Sequence, residues 1–238
     1  MPAQASGDAR RGQIELVLLD IGGPVYDDAA YRDALQRATG DLLAERGEEL
    51  DEARFQAVYD EFRQRQSGSL RTAVAAHFLT PQDREQLSER AKRYWSYPAS
   101  ALHPDVLPAL RELAGNYRLA VVANQRQAVL EALRRDGVAE FIDIWAISET
   151  VGVEKPDPGI FQYALREAGT PAEHAVHVGN RLDTDVRGAH RVGLRTVWVL
   201  RGEAPPHPTP EQLAEPDVAI RSLAELPEAL RQLQGLGG

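Results

Sequence analysis

The chain has 238 residues, of which 43% are hydrophobic and 26% are charged, and its formal net charge is −9. This acidic balance argues against nucleic acid as the main partner, because nucleic-acid-binding surfaces are basic. The chain contains no cysteine, which excludes disulfides and thiolate metal sites and fits a reducing cytoplasm. No apolar stretch reaches the roughly 18 residues that a membrane helix needs, so we expect no membrane partner. No pattern in the sequence decides the oligomeric state.

The first buried strand ends at an aspartate. Residues 1–13 are mostly small and polar and lack the apolar centre of a signal peptide, so they are predicted to form a disordered tail. The apolar run Leu16-Val17-Leu18-Leu19 then leads into Asp20, and Gly22 and Gly23 follow. Such a run is typical of a strand buried on both faces of a parallel sheet, whose carboxyl ends bind ligands. The glycines allow backbone N–H groups to approach an anion.

Residues 27–100 show helical periodicity throughout, with apolar residues three and four positions apart in four stretches. Asp27 and Asp28 are predicted to begin the first of these helices. Thr80 and Pro81 form an N-cap pair that predicts the start of the last helix. We therefore predict an all-helical cap domain at 27–100, inserted into a core domain made of 14–26 and 101–238.

After residue 101 the pattern alternates between helices and short apolar strands. Strands are predicted at 119–124, 142–147, 175–179 and 196–200, with helices between them, including one from Asp183 to Val192. Strands that alternate with helices imply a parallel sheet covered on both faces. The predicted fold class is therefore α/β, with a Rossmann-like parallel-sheet core, helices on both faces and an inserted all-helical cap.

Polar residues follow several of the predicted strands and should meet at one edge of the sheet. They are Asp20, Asn124, the segment leading to Lys155, and the stretch that holds Asn180, Asp183 and Asp185. Carboxylates and a lysine at one edge suit a small anionic substrate and Mg²⁺. A carboxylate can also act as a nucleophile while a lysine stabilises the anion that it attacks.

Two segments, 147–161 around Lys155-Pro156 and 177–189 around Asn180 and Asp185, resemble the third and fourth motifs of the haloacid dehalogenase superfamily. The resemblance implies hydrolysis through an aspartyl-enzyme intermediate. It assigns Asp20 as the nucleophile and Lys155 as the lysine that binds nucleophile and substrate.

The same resemblance implies a substrate-binding set and a metal-binding set. Gly22, Gly23 and Asn124 would contact the substrate anion. Asp20, the Gly22 carbonyl, Asn180 and Asp185 would hold Mg²⁺.

Three positions depart from the family pattern. Gly22 stands where hydrolytic phosphatases place a second aspartate as general acid and base, and Ala123 stands in place of a serine or threonine that binds the phosphoryl group. Asn180 replaces a charged magnesium ligand. We therefore expect weak Mg²⁺ binding and a preference for substrates whose leaving group needs no proton.

The favoured function is hydrolysis of a small anionic substrate, with a phosphate ester as the default. A metal-independent 2-haloacid dehalogenase-like hydrolase is an alternative, and so is a catalytically lapsed binding or regulatory protein of the same fold. Lys92 could serve a phosphonate-cleaving enzyme, but a solvated helix residue is the simpler interpretation. His177 is interpreted as a core histidine, Asp183 as an N-cap and Arg126 as a surface residue.

Overall fold

A computed structural model describes residues 13–235, so nearly all of the tail predicted at 1–13 lies outside the described residues. The described chain contains one parallel sheet of six strands in the order β3-β2-β1-β4-β5-β6. The strands are β1 (Leu16–Leu19), β2 (Arg118–Ala123), β3 (Ile144–Ile147), β4 (Ala175–Gly179), β5 (Arg195–Val199) and β6 (Val218–Ile220).

The central strand β1 is buried on both faces, as its unbroken apolar run predicts. Val17 and Leu19 pack into the hydrophobic core on one side of the sheet, while Leu16 and Leu18 pack into the core on the other side. Alternate side chains of a strand point to opposite faces, so each face needs its own helical cover. This confirms the predicted α/β architecture with helices on both faces.

Eleven helices are present among the described residues. They are α1 (Ala29–Ala44), α2 (Glu52–Arg65), α3 (Leu70–Phe78), α4 (Pro81–Tyr94), α5 (Val106–Ala114), α6 (Val129–Arg135), α7 (Ser148–Val151), α8 (Pro158–Ala168), α9 (Arg187–His190), α10 (Pro210–Leu213) and α11 (Leu226–Leu233). No helix in residues 13–235 is both long enough and apolar enough to cross a membrane.

Helices α1 to α4 form a hydrophobic core of their own, built from side chains such as Leu35, Phe55 and Val74. The segment leaves and rejoins the sheet region at one point, where the Asp27 amide donates to the Ala101 carbonyl at 2.9 Å. The chain therefore passes directly from β1 into these four helices and returns beside its point of departure.

Two elements differ from the sequence prediction. β6 has only three residues and lies at the edge of the sheet, too short to give an alternating pattern. The helix predicted from Asp183 begins instead as a π-helical turn at Leu182–Val186, and α9 follows it. π-helical turns are rare in proteins, but those that occur are often found at functional sites.

Candidate active site

Three side chains that are far apart in sequence meet at the carboxyl edge of the sheet. Nζ of Lys155 lies 2.8 Å from Oδ1 of Asp20 and 2.6 Å from Oδ1 of Asp185. The side chains of Lys155 and Asp185 are 2% and 1% exposed, whereas that of Asp20 is 14% exposed. The ammonium group is therefore shared by two carboxylates, of which only Asp20 is open to a substrate.

Both carboxylate oxygens of Asp185 are engaged. Oδ1 accepts from Lys155 and lies 3.1 Å from Nε2 of His177, and Oδ2 accepts from the backbone N–H of Arg181 at 2.9 Å. His177 is buried, as predicted, and its ring packs edge-on against Phe161 at 5.0 Å. Asp185 thus holds the lysine in place and has no oxygen without a protein donor.

The charges of this cluster shift its pKa values in opposite directions. Burial raises the pKa of Asp20, and the nearby charge of Asp185 adds to this rise, while Lys155 opposes it. Burial opposes ionisation of Asp185 as well, but Lys155 and His177 hold the pKa of Asp185 well below its usual range. Burial would lower the pKa of Lys155, yet the two carboxylates raise it. The lysine therefore stays charged beside an ionised Asp185.

Asn124 positions the loop that carries Lys155. Its Nδ2 donates to the Lys155 carbonyl at 2.8 Å, and its Oδ1 accepts from the Lys155 amide at 2.6 Å. The sequence prediction of a substrate contact did not foresee this role. Both polar atoms of the Asn124 side chain are therefore hydrogen-bonded to the backbone of Lys155.

Gly23 adopts a φ of +84°, and a Cβ at this position would collide with the side chain of Asn180. Only glycine fits here, because the left-handed conformation and the close approach both exclude a side chain. Nδ2 of Asn180 donates to Oδ2 of Asp28 and to the Arg201 carbonyl, each at 3.2 Å. The two acceptors fix the orientation of the amide.

A second polar cluster borders the same cavity, and sequence reasoning missed it. Arg181 forms ion pairs with Asp183 at 2.7 Å and with Glu203 at 2.9 Å. It also donates to the Gly68 carbonyl at 2.6 Å, which ties the loop before α3 to the loop after β4. Asp183 is therefore an ion-pair partner of Arg181, rather than the N-cap that we predicted.

Asp28 is the other residue that sequence reasoning misplaced. It precedes α1 as predicted, but its side chain makes no capping hydrogen bond and instead lines the cavity that holds Asp20. Burial, together with the charges of Glu203 and Asp20, raises the pKa of Asp28 well above its usual value. No local pattern marks this residue, because its position depends on how the chain enters α1.

The cavity that holds Asp20, here called the catalytic cavity after its candidate role, has a volume of about 700 Å³ and is bordered by both the sheet edge and the helical segment. A second cavity of about 540 Å³ adjoins it, and the two share Tyr31, Arg71, Asn124, Gln125 and Glu154. Lys92 and Arg126 line the second cavity and not the one that holds Asp20, and Lys92 pairs with Glu89. Lys92 is thus separated from Asp20.

The predicted magnesium ligands offer little uncompensated negative charge to a magnesium ion in this arrangement. Asp185 has no free oxygen, and Asp20 already shares one oxygen with Lys155. Asn180 and the Gly22 carbonyl carry no charge. Among the described residues, no group of three or more histidine, cysteine, aspartate or glutamate side chains could hold a metal ion. Lys155, His177 and Arg181 already contact the two oxygens of Asp185, and the assignment of Asp185 as a Mg²⁺ ligand stays a prediction.

Comparison with known proteins agrees with this fold. The model of the haloacid dehalogenase-like hydrolase family matches residues 14–193. The chain therefore belongs to the haloacid dehalogenase-like hydrolases, as its motifs suggested.

The curated relatives include phosphatases. A glyceraldehyde 3-phosphate phosphatase of Methanopyrus kandleri is 40% identical over 133 residues, which cover 55% of this chain and 57% of that protein. A phosphoserine phosphatase of Thermus thermophilus is 33% identical over 210 residues, covering 87% of this chain and 67% of that protein. The match thus spans little more than half of the first relative.

One similar solved structure is that of an enzyme named for a different reaction. A 2-haloacid dehalogenase of Pseudomonas syringae is 26% identical and superimposes with a TM-score of 0.59, covering 92% of this chain and 99% of that protein.

Proposed function

We propose that this protein hydrolyses a small phosphate monoester through a covalent aspartyl-phosphate on Asp20. The observation that carries the proposal is the Lys155 ammonium group, held 2.8 Å from Asp20 by the buried and fully engaged Asp185. A partly exposed carboxylate beside a fixed cation is suited to attack an anion, because the cation offsets the repulsion between the two negative charges.

The two chemical steps place different demands on the site. In the first, an oxygen of Asp20 attacks phosphorus, and the bond between phosphorus and the ester oxygen breaks, so the leaving oxygen takes the electron pair. In the second, water attacks the aspartyl-phosphate, which releases inorganic phosphate and restores Asp20. Lys155 stabilises the phosphoryl oxygens in both steps. It keeps its charge because Asp185 remains ionised behind it.

Residues 27–100 are proposed to act as a cap over this site, with 14–26 and 101–238 as the core domain. Tyr31 and Arg71 of the helical segment line the same cavity as Asp20, and they line the adjoining cavity too. The helices would therefore enclose the non-phosphate part of a substrate and exclude water. Arg181, which bonds to Gly68, would hold the two parts together.

Dehalogenation of a 2-haloacid is a second candidate. The observation that favours it is Gly22, since a halide leaves with its electron pair and needs no proton from a side chain at this position. Asp20 would attack the carbon that bears the halogen, and water would then hydrolyse the resulting ester. The similarity to a 2-haloacid dehalogenase structure supports this candidate.

A substrate panel tests both candidates. We expect release of inorganic phosphate from phosphate monoesters and no halide release from 2-haloacids, with and without Mg²⁺. Halide release without phosphate release would favour the second candidate. A wild-type protein that is inactive on the whole panel, beside an active phosphatase as positive control, would favour a lapsed binding or regulatory protein.

A further inference from the structure

Hydrolysis through Asp20 needs a group that gives a proton to the leaving oxygen and later takes one from water. Several carboxyl and amino groups in the cavity are already engaged, and Glu154 at its border is exposed to solvent. Lys155 is held between two carboxylates, and Asp185 has no free oxygen. Asp183 and Glu203 are paired with Arg181. Gly22 has no side chain.

Asp28 is a carboxyl group in this cavity that pairs with no cation among the described residues. It is half-buried, and Oδ2 accepts a hydrogen bond from Asn180 at 3.2 Å. Its other oxygen, Oδ1, lies only 2.8 Å from the point where a Cβ on Gly22 would stand. The Asp28 carboxyl therefore occupies the space that a side chain at position 22 would enter, two residues beyond the nucleophile.

We propose that Asp28 is the general acid and base of the reaction, supplied by the start of α1 to a site whose nucleophile belongs to the sheet. This inference rests on the proposed phosphatase function. The protonated carboxyl donates its proton to the leaving ester oxygen as the bond to phosphorus breaks. The resulting carboxylate then takes a proton from the water that attacks the aspartyl-phosphate, and this restores the acid. No other reactant is required.

The proposal changes what the glycine at position 22 means. Sequence alone predicts a preference for substrates whose leaving group needs no proton. With Asp28 in place, alkyl esters become substrates as well. Gly22 then serves to leave room, because a Cβ at 2.8 Å from Oδ1 would displace the Asp28 carboxyl.

Leaving-group dependence tests the proposal. Single-turnover rates of leaving-group release, which report the first step alone, are measured with an alkyl phosphate and with p-nitrophenyl phosphate, whose phenolate leaves without a proton. We expect Asp28→Asn to slow the alkyl ester by about 10²–10³-fold and the aryl ester by less than tenfold, since general acid catalysis is typically worth about 10²–10⁴-fold. Asp27→Asn removes the neighbouring exposed carboxylate and serves as the matched control, with both rates unchanged.

A relocated carboxyl provides the complementary test. In Asp28→Ala the Oδ1 atom that crowds position 22 is removed, and the Tyr97 hydroxyl, at 3.8 Å, is the nearest atom outside residue 28 to a new Cβ there. Gly22→Asp combined with Asp28→Ala should recover alkyl phosphate turnover by at least about tenfold over Asp28→Ala alone. That gain is a small part of what general acid catalysis contributes. Thermal unfolding of each variant shows whether it is folded.

The outcomes separate the two proposals. If the wild type hydrolyses both esters but Asp28→Asn slows them equally, or slows neither, the role of Asp28 is refuted and the phosphatase function stands. If the double variant Gly22→Asp with Asp28→Ala is folded but does not regain alkyl phosphate turnover, this result also counts against the role of Asp28. If the wild type hydrolyses neither ester, the phosphatase function fails and takes the role of Asp28 with it.

Discussion

Nζ of Lys155 lies 2.6 Å from Oδ1 of Asp185, and both side chains are almost completely buried. A buried charge that loses its partner is strongly destabilising, typically by about 3–5 kcal/mol. Lys155→Met should therefore lower the free energy of unfolding by about this amount, because it removes the cation that both Asp185 and Asp20 contact.

The double variant Lys155→Met with Asp185→Asn removes both charges together. Its loss in the free energy of unfolding should therefore be smaller than the sum of the losses in the two single variants. Chemical denaturation at neutral pH measures all three variants and the wild type. Strictly additive losses would show that the two residues do not interact across this contact.

Asp20→Asn should abolish turnover and preserve the fold. The carboxylate that attacks the substrate is lost, and removal of a nucleophile typically lowers kcat by several orders of magnitude, about 10⁶-fold in a well-studied protease. Lys155 keeps Asp185 as its partner, so no buried charge is left unpaired. Steady-state kinetics and thermal unfolding are measured together, with Asp27→Asn as the control. Retention of most of the activity by Asp20→Asn would refute the assignment of Asp20 as nucleophile.

The pH profile should reveal the charge of Asp185. Asp20 attacks only when ionised, so activity is lost as the pH falls through its pKa, which burial and the charge of Asp185 raise. Asp185→Asn removes the negative charge of Asp185, which raises the pKa of Asp20. Asp20 then becomes the one charged partner of Lys155 in this pair of carboxylates. The acid limb of kcat/KM should therefore move to lower pH than in the wild type. The same substrate is used for both proteins, so its own ionisation cancels. A move to higher pH would contradict this coupling.

Magnesium should bind weakly or not at all to the wild-type protein, because the engaged oxygens of Asp185 and the neutral Asn180 leave little charge for the ion. Asn180→Asp adds a carboxylate, the ligand type that Mg²⁺ prefers, and should raise the affinity by about tenfold or more, the change that 1.4 kcal/mol of added attraction produces. Isothermal titration calorimetry measures both proteins. Micromolar binding by the wild type would contradict the donor set described above.

The sequence by itself determined the alternation of strands and helices, because periodicity and glycine or proline breaks are local signals. Helix α8, for example, starts at Pro158 with Asp157 as its capping residue, and Gly169 follows its last residue in the left-handed conformation. Local signals were also enough to predict that Asp20 and Lys155, which are 135 positions apart, lie close together, because the carboxyl ends of parallel strands share one edge of the sheet.

Only the tertiary structure decided how the side chains divide their roles. Asn124 turns towards the Lys155 backbone, and Asp185 is surrounded by donors. The cavity position of Asp28 depends on the path by which the chain leaves β1 and enters α1. The short edge strand β6 is also set by its pairing with β5 rather than by its own three residues. Each of these outcomes depends on contacts between segments that are distant in sequence. Periodicity indicates only which face of a single helix or strand is apolar.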